Sequence, residues 1–432
     1  MLRLEEPAGL KESPLFDAEW YFPFSFGALR RGGHGIVTRY KRGPALFAKG
    51  SGEPANSLAA SAASPAAVDE LPVPERPPSD SYLEITFPFS KDAQLREHYQ
   101  RFFTDHMRFG LLLEDLDTLA GNIAARHAGV TNRVLLTASI DRLSWLRDPA
   151  VGEVVWAGRS SMEVLIELAS WEHDARRPQW HFVGVARFVL VVRTPDRTSA
   201  ASVPALVPQT ERERALFEQG KVHMELRQRR RESHWARKPP TADEVTLVHD
   251  LIRNHHLHRV AAHHHHHHSG TQLGAVPMQR TTLHSACLMH SQDRNIFNVI
   301  FGGHLLRLAY EHAFATAALH AGEYCDSLSM DDVSFLQPVP IGTLLRLTGQ
   351  VVYTEGPVVR VHVRASKVEP GAPEQSVVTN VFSFAFVSPS GPVRRVVPEA
   401  MVEAMEYLMG HRQHRQDEAS LAMMDAAARS RL

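Results

Sequence analysis

The sequence predicts the α+β class: two tandem units, each a long helix followed by a run of antiparallel strands, packed together as a pseudo-dimer. The first observation is an internal repeat. Arg108-Phe109-Gly110-Leu111-Leu112-Leu113, continuing as a helical run to Ala124-Ala125-Arg126-His127-Ala128-Gly129, is echoed by Phe301-Gly302-Gly303-His304-Leu305-Leu306 running to Ala317-Ala318-Leu319-His320-Ala321-Gly322. The second is the order of residues after each helix. Asp141, Ser144, Trp145, Leu146, Pro149 and Gly152 in the first copy correspond to Asp331, Ser334, Phe335, Leu336, Pro338 and Gly342 in the second. The third is the order of periodicities, one helical stretch and then several strand-like ones, which is not the alternation of a parallel βαβ sheet. Two copies of so long a unit imply two similar lobes with a site at their seam.

Residues 1–80 form an N-terminal extension, with the aromatic patch Trp20-Tyr21-Phe22-Pro23-Phe24 and then a tract rich in Gly, Ala, Ser and Pro. Residues 50–79 bury too little apolar surface to offset ordering entropy and are expected to be a disordered linker. The first unit spans 81–197. Residues 82–89 alternate as a first strand would; Leu112, Leu113, Leu116, Leu119, Ala120, Ile123 and Ala124 recur at helical spacing, and Gly129 is a natural stop. Residues 134–140, 154–157, 162–169 and 182–192 read as strands, with Met162, Val164 and Ile166 alternating against Glu163 and Glu167. A helical connector, 198–277, holds a polar helix over 211–231 and a second helix towards Asn254, opened by a capping box of Thr241 and Glu244. The second unit, 278–393, repeats the order of the first, with a helix over 303–321 and strands over 344–353, 358–368 and 376–387. Residues 394–432 form a C-terminal tail of one helix or a pair.

Composition sets outer bounds. The chain has 432 residues, 44% hydrophobic and 22% charged, with a net charge of −1, which gives no reason to expect nucleic acid or an anionic membrane as partner. Its two cysteines, Cys287 and Cys325, exclude a disulfide scaffold and a multi-cysteine zinc site. The most apolar stretch, 182–192, is too short to span a bilayer and contains Arg187. The first residues lack the apolar core of a secretory signal, whereas Arg30, Arg31, Arg39, Lys41 and Arg42 have a transit-peptide flavour that begins late. Six consecutive histidines, 263–268, follow His255, His256 and His258. A homopolymer in a loop lacks the fixed geometry of a metal site, so a low-complexity surface loop and no catalytic metal are expected.

The second copy carries a specific likeness. Asp293-Arg294-Asn295-Ile296-Phe297-Asn298-Val299-Ile300-Phe301-Gly302-Gly303-His304, followed by Asp331-Asp332-Val333-Ser334-Phe335-Leu336, resembles the hot-dog acyl-CoA thioesterases. With the first copy over 108–117 and 136–141, the chain is similar over roughly 80–410 to the double hot-dog thioesterases of the mitochondrial acyl-coenzyme A thioesterase 9 type. The resemblance implies tandem hot-dog units, an antiparallel sheet wrapped round a central helix in each. It also implies hydrolysis of acyl-CoA without a cofactor, a homo-oligomer, and a mitochondrial location, the cytoplasm being the alternative.

Physical reading of the motif agrees. Paired glycines at a helix start allow close approach, and the free N–H groups of the first turn point at whatever fills the mouth. Gly302, Gly303 and His304 are therefore candidate substrate contacts, with Gly110 as the counterpart in the first copy. By the resemblance, Asn295 positions water or the thioester carbonyl; stabilisation of the turn before the helix is its plain alternative. Asn298 is read as structural. The acid or base is expected from the other copy, as Asp117 or its rival Asp105. A solvated helix face is the plain alternative for Glu114, Asp115 and Asp117. Phe102 stands where Asn295 would align and Tyr310 stands opposite Asp117, so one working site per chain is expected. Arg142, Arg147 and Arg159 are candidates for the phosphates of coenzyme A. No Gly-x-Ser-x-Gly elbow, Walker loop or dinucleotide fingerprint is present. Two other functions stay open here, a hot-dog enoyl-CoA hydratase using His304 and a non-catalytic acyl-CoA-binding or assembly protein.

Overall fold

A largely buried helix has to be wrapped by other elements, and each copy contains one. In the computed structural model the described residues are 2–3, 37–39, 75–87, 89, 92–101, 106–129, 133–144, 152–172, 179–233, 239–264, 274–295 and 298–429. In chain order the elements are β1 (Leu2–Arg3), β2 (Val37–Arg39), β3 (Glu75–Arg76), β4 (Glu84–Thr86), α1 (Ala93–Tyr99), α2 (Phe109–Ala128), β5 (Val134–Ser144), β6 (Glu153–Ala157), β7 (Ser161–Glu172), β8 (Gln179–Arg193), β9 (Ala205–Leu206), α3 (Glu211–Ser233), α4 (Ala242–His264), β10 (Val276–Pro277), β11 (Leu283–Leu288), α5 (Gly302–Ala321), β12 (Asp326–Phe335), β13 (Leu344–Glu355), β14 (Val358–Glu369), β15 (Ala372–Val387), β16 (Val396–Val397) and α6 (Met401–Arg429). Short 3-10 turns lie at Pro78–Ser81, Met278–Thr281 and Ser291–Asp293. The chain forms two compact units: unit 1 comprises Met1–Gln100, Leu116–Ala138 and Leu146–Lys221, and unit 2 comprises Arg101–Asp115, Ser139–Trp145 and Val222–Leu432.

In unit 1, Leu116, Leu119, Ala120, Ile123 and Ala124 of α2 are fully buried. The long strands β7 and β8 pair antiparallel along their length, and β6 pairs with the other edge of β7. Their alternation differs from the simple apolar-in, polar-out pattern. Glu163 has no exposed surface and accepts a hydrogen bond from Arg187 at 2.8 Å, so the polar positions of β7 hold an internal ion pair. Arg212 at the start of α3 reaches Glu153 at 3.2 Å and Glu167 at 3.5 Å, fastening that helix to the same strands.

Unit 2 has the strand order β11-β13-β14-β15-β12, antiparallel throughout. Phe382, Phe384 and Phe386 alternate along β15 and are buried, and Tyr310 and Phe314 of α5 pack on this face. The free edge of β12 takes up residues of β5 that belong to unit 2, pairing Met330 with Leu143, Val333 with Ile140 and Ser334 with Ser139. When Asp141 is matched with Asp331, the first two of these pairs become each other's equivalents. On the sheet lies α6, through polar contacts: His362 Nδ1 is 2.5 Å from Glu406, Arg364 donates to Glu406 at 3.4 Å, and buried Arg360 pairs with Asp417. Glu244 of α4 receives both Nε and Nη2 of Arg412 at 2.6 Å, and the guanidinium holds its carboxyl down at about 2.

The copies share a set of hydrogen bonds. His127 Nε2 donates to the Pro204 carbonyl at 3.0 Å in unit 1, and its counterpart His320 donates to the Arg394 carbonyl at 2.8 Å in unit 2. Ser81 Oγ accepts from Val154 N–H at 3.0 Å, and Thr281 Oγ1 accepts from Val351 N–H at 3.0 Å. Gly129 and Gly322, one residue past each helix, take φ of 65° and 83°, the left-handed stop that glycine adopts without strain. Burial lowers the pKa of both rings, His127 to about 4. Both are thus neutral in the fold. As pH falls below about 6.5 the unfolded chain binds protons that the fold resists, so stability should be lost towards pH 4. His127→Gln/His320→Gln should show a shallower dependence of melting temperature on pH between 7.5 and 4.5, read by scanning calorimetry.

Several expectations are refined. The capping box is present, Thr241 N–H donating to Glu244 Oε2 at 2.9 Å and Glu244 N–H to Thr241 Oγ1 at 3.3 Å, but α4 runs on to His264. The expected surface loop of histidines thus begins inside a helix, and residues 265–268 lie outside the described residues. Residues 75–79, assigned to the linker, are ordered: β3 pairs parallel with β9, and Pro78 opens a 3-10 turn. The rest of that tract and the aromatic patch at 20–24 lie outside the described residues. Of the described residues in 82–89 only Glu84–Thr86 are strand, and those of the C-terminal tail form one helix, not two, after the short strand β16.

Candidate functional site

The site is built from the turn before α5. After the 3-10 turn Ser291–Asp293, Arg294 bridges to Ile300 and Val299 to Pro340, pinning the chain at both ends. Between them Asn295 N–H donates to the Val299 carbonyl at 2.8 Å, and Val299 N–H returns a long bond to Asn295 Oδ1 at 3.4 Å. Asn298 has a φ of 55°, a left-handed conformation that asparagine tolerates better than most residues, which agrees with a structural role. Phe301 N–H donates back to the Asp293 carbonyl at 2.9 Å and closes the loop. Phe301 is also the N-cap of α5 and supplies no side-chain hydrogen bond. The Phe301 side chain thus supplies no capping oxygen, and the positive end of the helix dipole lies at this first turn.

Two glycines let the first turns of α2 and α5 meet within unit 2. A Cβ on Gly303 would lie 2.6 Å from a Phe301 ring carbon and 2.9 Å from the Glu114 carbonyl oxygen. One on Gly110 would lie 3.1 Å from Arg307 Cγ. The side chains around this crossing are charged. Arg307 Nη1 is 2.9 Å from Glu114 Oε2, both largely buried, and Arg307 Nη2 is 3.1 Å from His304 Nδ1. Arg108 grips Glu311 with Nε at 2.9 Å and Nη2 at 2.7 Å. The ring of Phe109 meets Tyr310 edge-on at 5.1 Å.

Gly110, Gly303 and His304 are thus gathered at one crossing, all buried, with Gly302 beside them and half-buried Asn295 on the turn that leads in. Asp117 belongs to unit 1, where it is buried and accepts a hydrogen bond from Thr137 Oγ1 at 2.8 Å. Asp105 lies outside the described residues, as do Phe102, Arg147 and the side chain of Arg142; Arg159 is exposed. A solvated face for Glu114, Asp115 and Asp117 is overturned, since all three are buried. The reason is that this stretch of α2 is buried on every side and has no water-facing position from Gly110 to Ala125. Tyr310, aligned with Asp117, bonds Ser327, and burial pushes its phenol up to about 12. Sequence reasoning missed Arg307 and Thr137, whose partners become visible only in three dimensions. Among the described residues no cluster of His, Cys, Asp or Glu is placed to hold a metal ion, and no helix is long and apolar enough to cross a membrane.

Comparison with known proteins fixes the family. Residues 297–374, from the turn through α5 and into β15, match the Thioesterase superfamily. Human mitochondrial acyl-coenzyme A thioesterase 9 is 33% identical over 353 residues, covering 79% of this chain and 78% of that one. The chain belongs to the acyl-coenzyme A thioesterase family. Within it, the chloroplastic acyl-coenzyme A thioesterase 2 of Humulus lupulus is 33% identical over 357 residues, 77% of this chain and 79% of that protein. An acyl-CoA hydrolase from Staphylococcus aureus, solved with butyryl coenzyme A, coenzyme A and coenzyme A disulfide, is 25% identical over 35% of this chain and 99% of its own, with a TM-score of 0.32. In this thioesterase the long helix followed by antiparallel strands is the hot-dog unit, present twice in tandem as the repeat required.

Proposed function

We infer that the protein is an acyl-CoA thioesterase that hydrolyses acyl-CoA to a free carboxylic acid and coenzyme A. The observation that carries this is the family-wide identity, which extends over both copies, joined to an uncapped helix start at Gly302 and Gly303. Neither the hydratase nor the non-catalytic reading has comparable support. Relatives from human, cattle and mouse are mitochondrial, and the family resemblance assigns this chain to the mitochondrion as well.

A thioester is activated already, so water and a polarised carbonyl suffice. Water adds to the carbonyl carbon, its proton passes to a base, and the tetrahedral oxyanion collapses with departure of the coenzyme A thiolate, which takes up a proton. In this reading Gly303 N–H or its neighbours donate to the oxyanion, a contribution of ~3–4 kcal/mol per donor where such groups have been removed. Asn295 positions the water or the carbonyl, and Asp117, with Asp105 as rival, accepts the proton. Support for Asn295 lies in its turn, held two hydrogen bonds deep immediately before the helix start. Assembly as a homo-oligomer is part of the proposal, supported by the exposed apolar residues Leu336, Val377 and Val378 on β15 and the end of β12. Light scattering on the purified chain checks it.

The test of function is thiol release from acyl-CoAs of short to long chain. The wild type should turn over and Asn295→Ala should lose ~100-fold or more in kcat, about 2.7 kcal/mol of transition-state stabilisation. Asp117→Ala and Asp105→Ala, assayed alongside, choose the base. Tight acyl-CoA binding without hydrolysis by the wild type would make the chain a binding protein.

A further inference from the structure

We propose that Ser285 and His312 form a second reactive pair in unit 2, in which the Ser285 hydroxyl takes an acyl group from an activated thioester of the acyl-CoA class. The inference goes beyond the hydrolysis described above, because it uses neither Asn295 nor the start of α5. Ser285 Oγ lies 3.1 Å from His312 Nδ1, and His312 Nε2 lies 3.1 Å from the Leu283 carbonyl oxygen. With its proton on Nε2 the neutral ring donates to that carbonyl, which leaves Nδ1 as the acceptor for the serine hydroxyl. The other tautomer takes the Gly349 N–H on Nε2, also at 3.1 Å, and turns Nδ1 into a donor, so the first is the one that draws a proton from Ser285. A nucleophile, a base within hydrogen-bond reach and a third group that orients the base are the parts of an activated serine.

Three further observations set this pair apart from an ordinary contact between helix and strand. His312 is buried, and burial lowers the pKa of its ring from the ordinary 6.5, with the bond to Leu283 opposing, so the ring is neutral and able to accept a proton at neutral pH. With Gly110 matched to Gly303, His312 corresponds to Leu119, which is fully buried. The first copy fills this helix position with a plain apolar residue, so packing alone does not call for an imidazole. Ser285 is exposed on β11, an edge strand paired with β13, and a Cβ on Gly349 of β13 would lie 2.9 Å from His312 Cδ2, so the glycine makes room for the ring. An edge strand turns alternate N–H groups away from its sheet, and these are the donors that a carbonyl oxygen arriving at Ser285 meets. In the proposed step Ser285 Oγ adds to the thioester carbonyl carbon as its proton passes to His312 Nδ1. The C–S bond then breaks and the coenzyme A thiolate leaves with that proton, giving a serine ester, coenzyme A and a ring as neutral as it began.

Peptide mapping by mass spectrometry tests this on the full chain after incubation with acetyl-CoA, using the wild type and Asn295→Ala, in which less of the donor is consumed by hydrolysis. Both should carry one acetyl group on the peptide that contains Ser285, and Ser285→Ala should carry none there. His312→Leu, which places at this position the residue type of the first copy, should fold and should slow the labelling ~100-fold or more, the scale of a lost general base. His312→Gln, which keeps a polar group beside Ser285, gives a second reading with the same expectation if His312→Leu does not fold. Labelling of Ser285 at the full rate in a folded His312 variant, acetyl groups confined to lysines, or no adduct on either the wild type or Asn295→Ala overturns the proposal. Thiol release by the wild type is scored separately, so a failure of labelling leaves the thioesterase reading standing, and a failure of hydrolysis leaves the adduct to decide on this pair.

Discussion

Asp417→Ala should destabilise unit 2 by roughly 3–5 kcal/mol, the cost of leaving one charge of a buried pair without its partner. Arg360 on β14 has no exposed surface, and Asp417 on α6 is its carboxylate; Ser329 Oγ donates to the same carboxylate at 3.0 Å. The guanidinium cannot shed its proton and has no exposed surface, so the loss of this carboxylate falls on folding or on the docking of α6. Urea unfolding followed by circular dichroism checks this through the midpoint. Arg360→Met/Asp417→Leu, which removes both charges and fills the space, should recover most of the stability. A loss below about 1 kcal/mol in Asp417→Ala would mean that the guanidinium finds a second carboxylate.

Gly303→Ala should cost both stability and turnover. Its methyl group would fall 2.6 Å from the Phe301 ring and 2.9 Å from the Glu114 carbonyl. The ring could swing away, but the carbonyl belongs to helix backbone and cannot. Relief requires the first turn of α5 to move away from α2, at a cost of ~1–3 kcal/mol as for other overpacked sites. That turn holds the donors proposed for the oxyanion, and a displacement of about 1 Å at a reacting centre costs on the order of 100-fold in rate. The expected result is a folded protein with a lowered melting temperature and kcat reduced ~100-fold. Full activity in a folded Gly303→Ala would place the oxyanion donors elsewhere.

The central helices and long strands were legible because each has one strong period. Leu116, Leu119, Ala120 and Ile123 mark α2 by spacing alone, and Val359, Val361 and Val363 do the same for β14. β11 was missed for a physical reason: it is an edge strand with mostly exposed residues, Leu-His-Ser-Ala-Cys-Leu, and a strand without a buried face has no alternation to read. The end of α4 was missed because histidines carry only a mild penalty in a helix. At the site, the turn and its helix start were legible from Asn295 and the Gly302-Gly303 pair. The pairing of Arg307 with Glu114 was not, because a glutamate on a helix normally reads as solvated, and its burial depends on residues far away in the chain. Likewise His127 and His320 were visible as a repeated letter, whereas their carbonyl partners emerge only once strand and helix are folded together.

Glu114 and Arg307 each stand four residues after the glycine of their own copy, Gly110 and Gly303, and they bond to one another. Two identical polypeptides meeting about a two-fold axis would set each such residue against its own twin, glutamate on glutamate or arginine on arginine, and like charges at that spacing repel. A single polypeptide carrying both copies escapes the constraint, because the two sequences are free to differ at the axis. Here they differ by sign. Duplication within one chain has thereby put opposite charges where a symmetric pair would set like ones, and inside unit 2 each offsets the other.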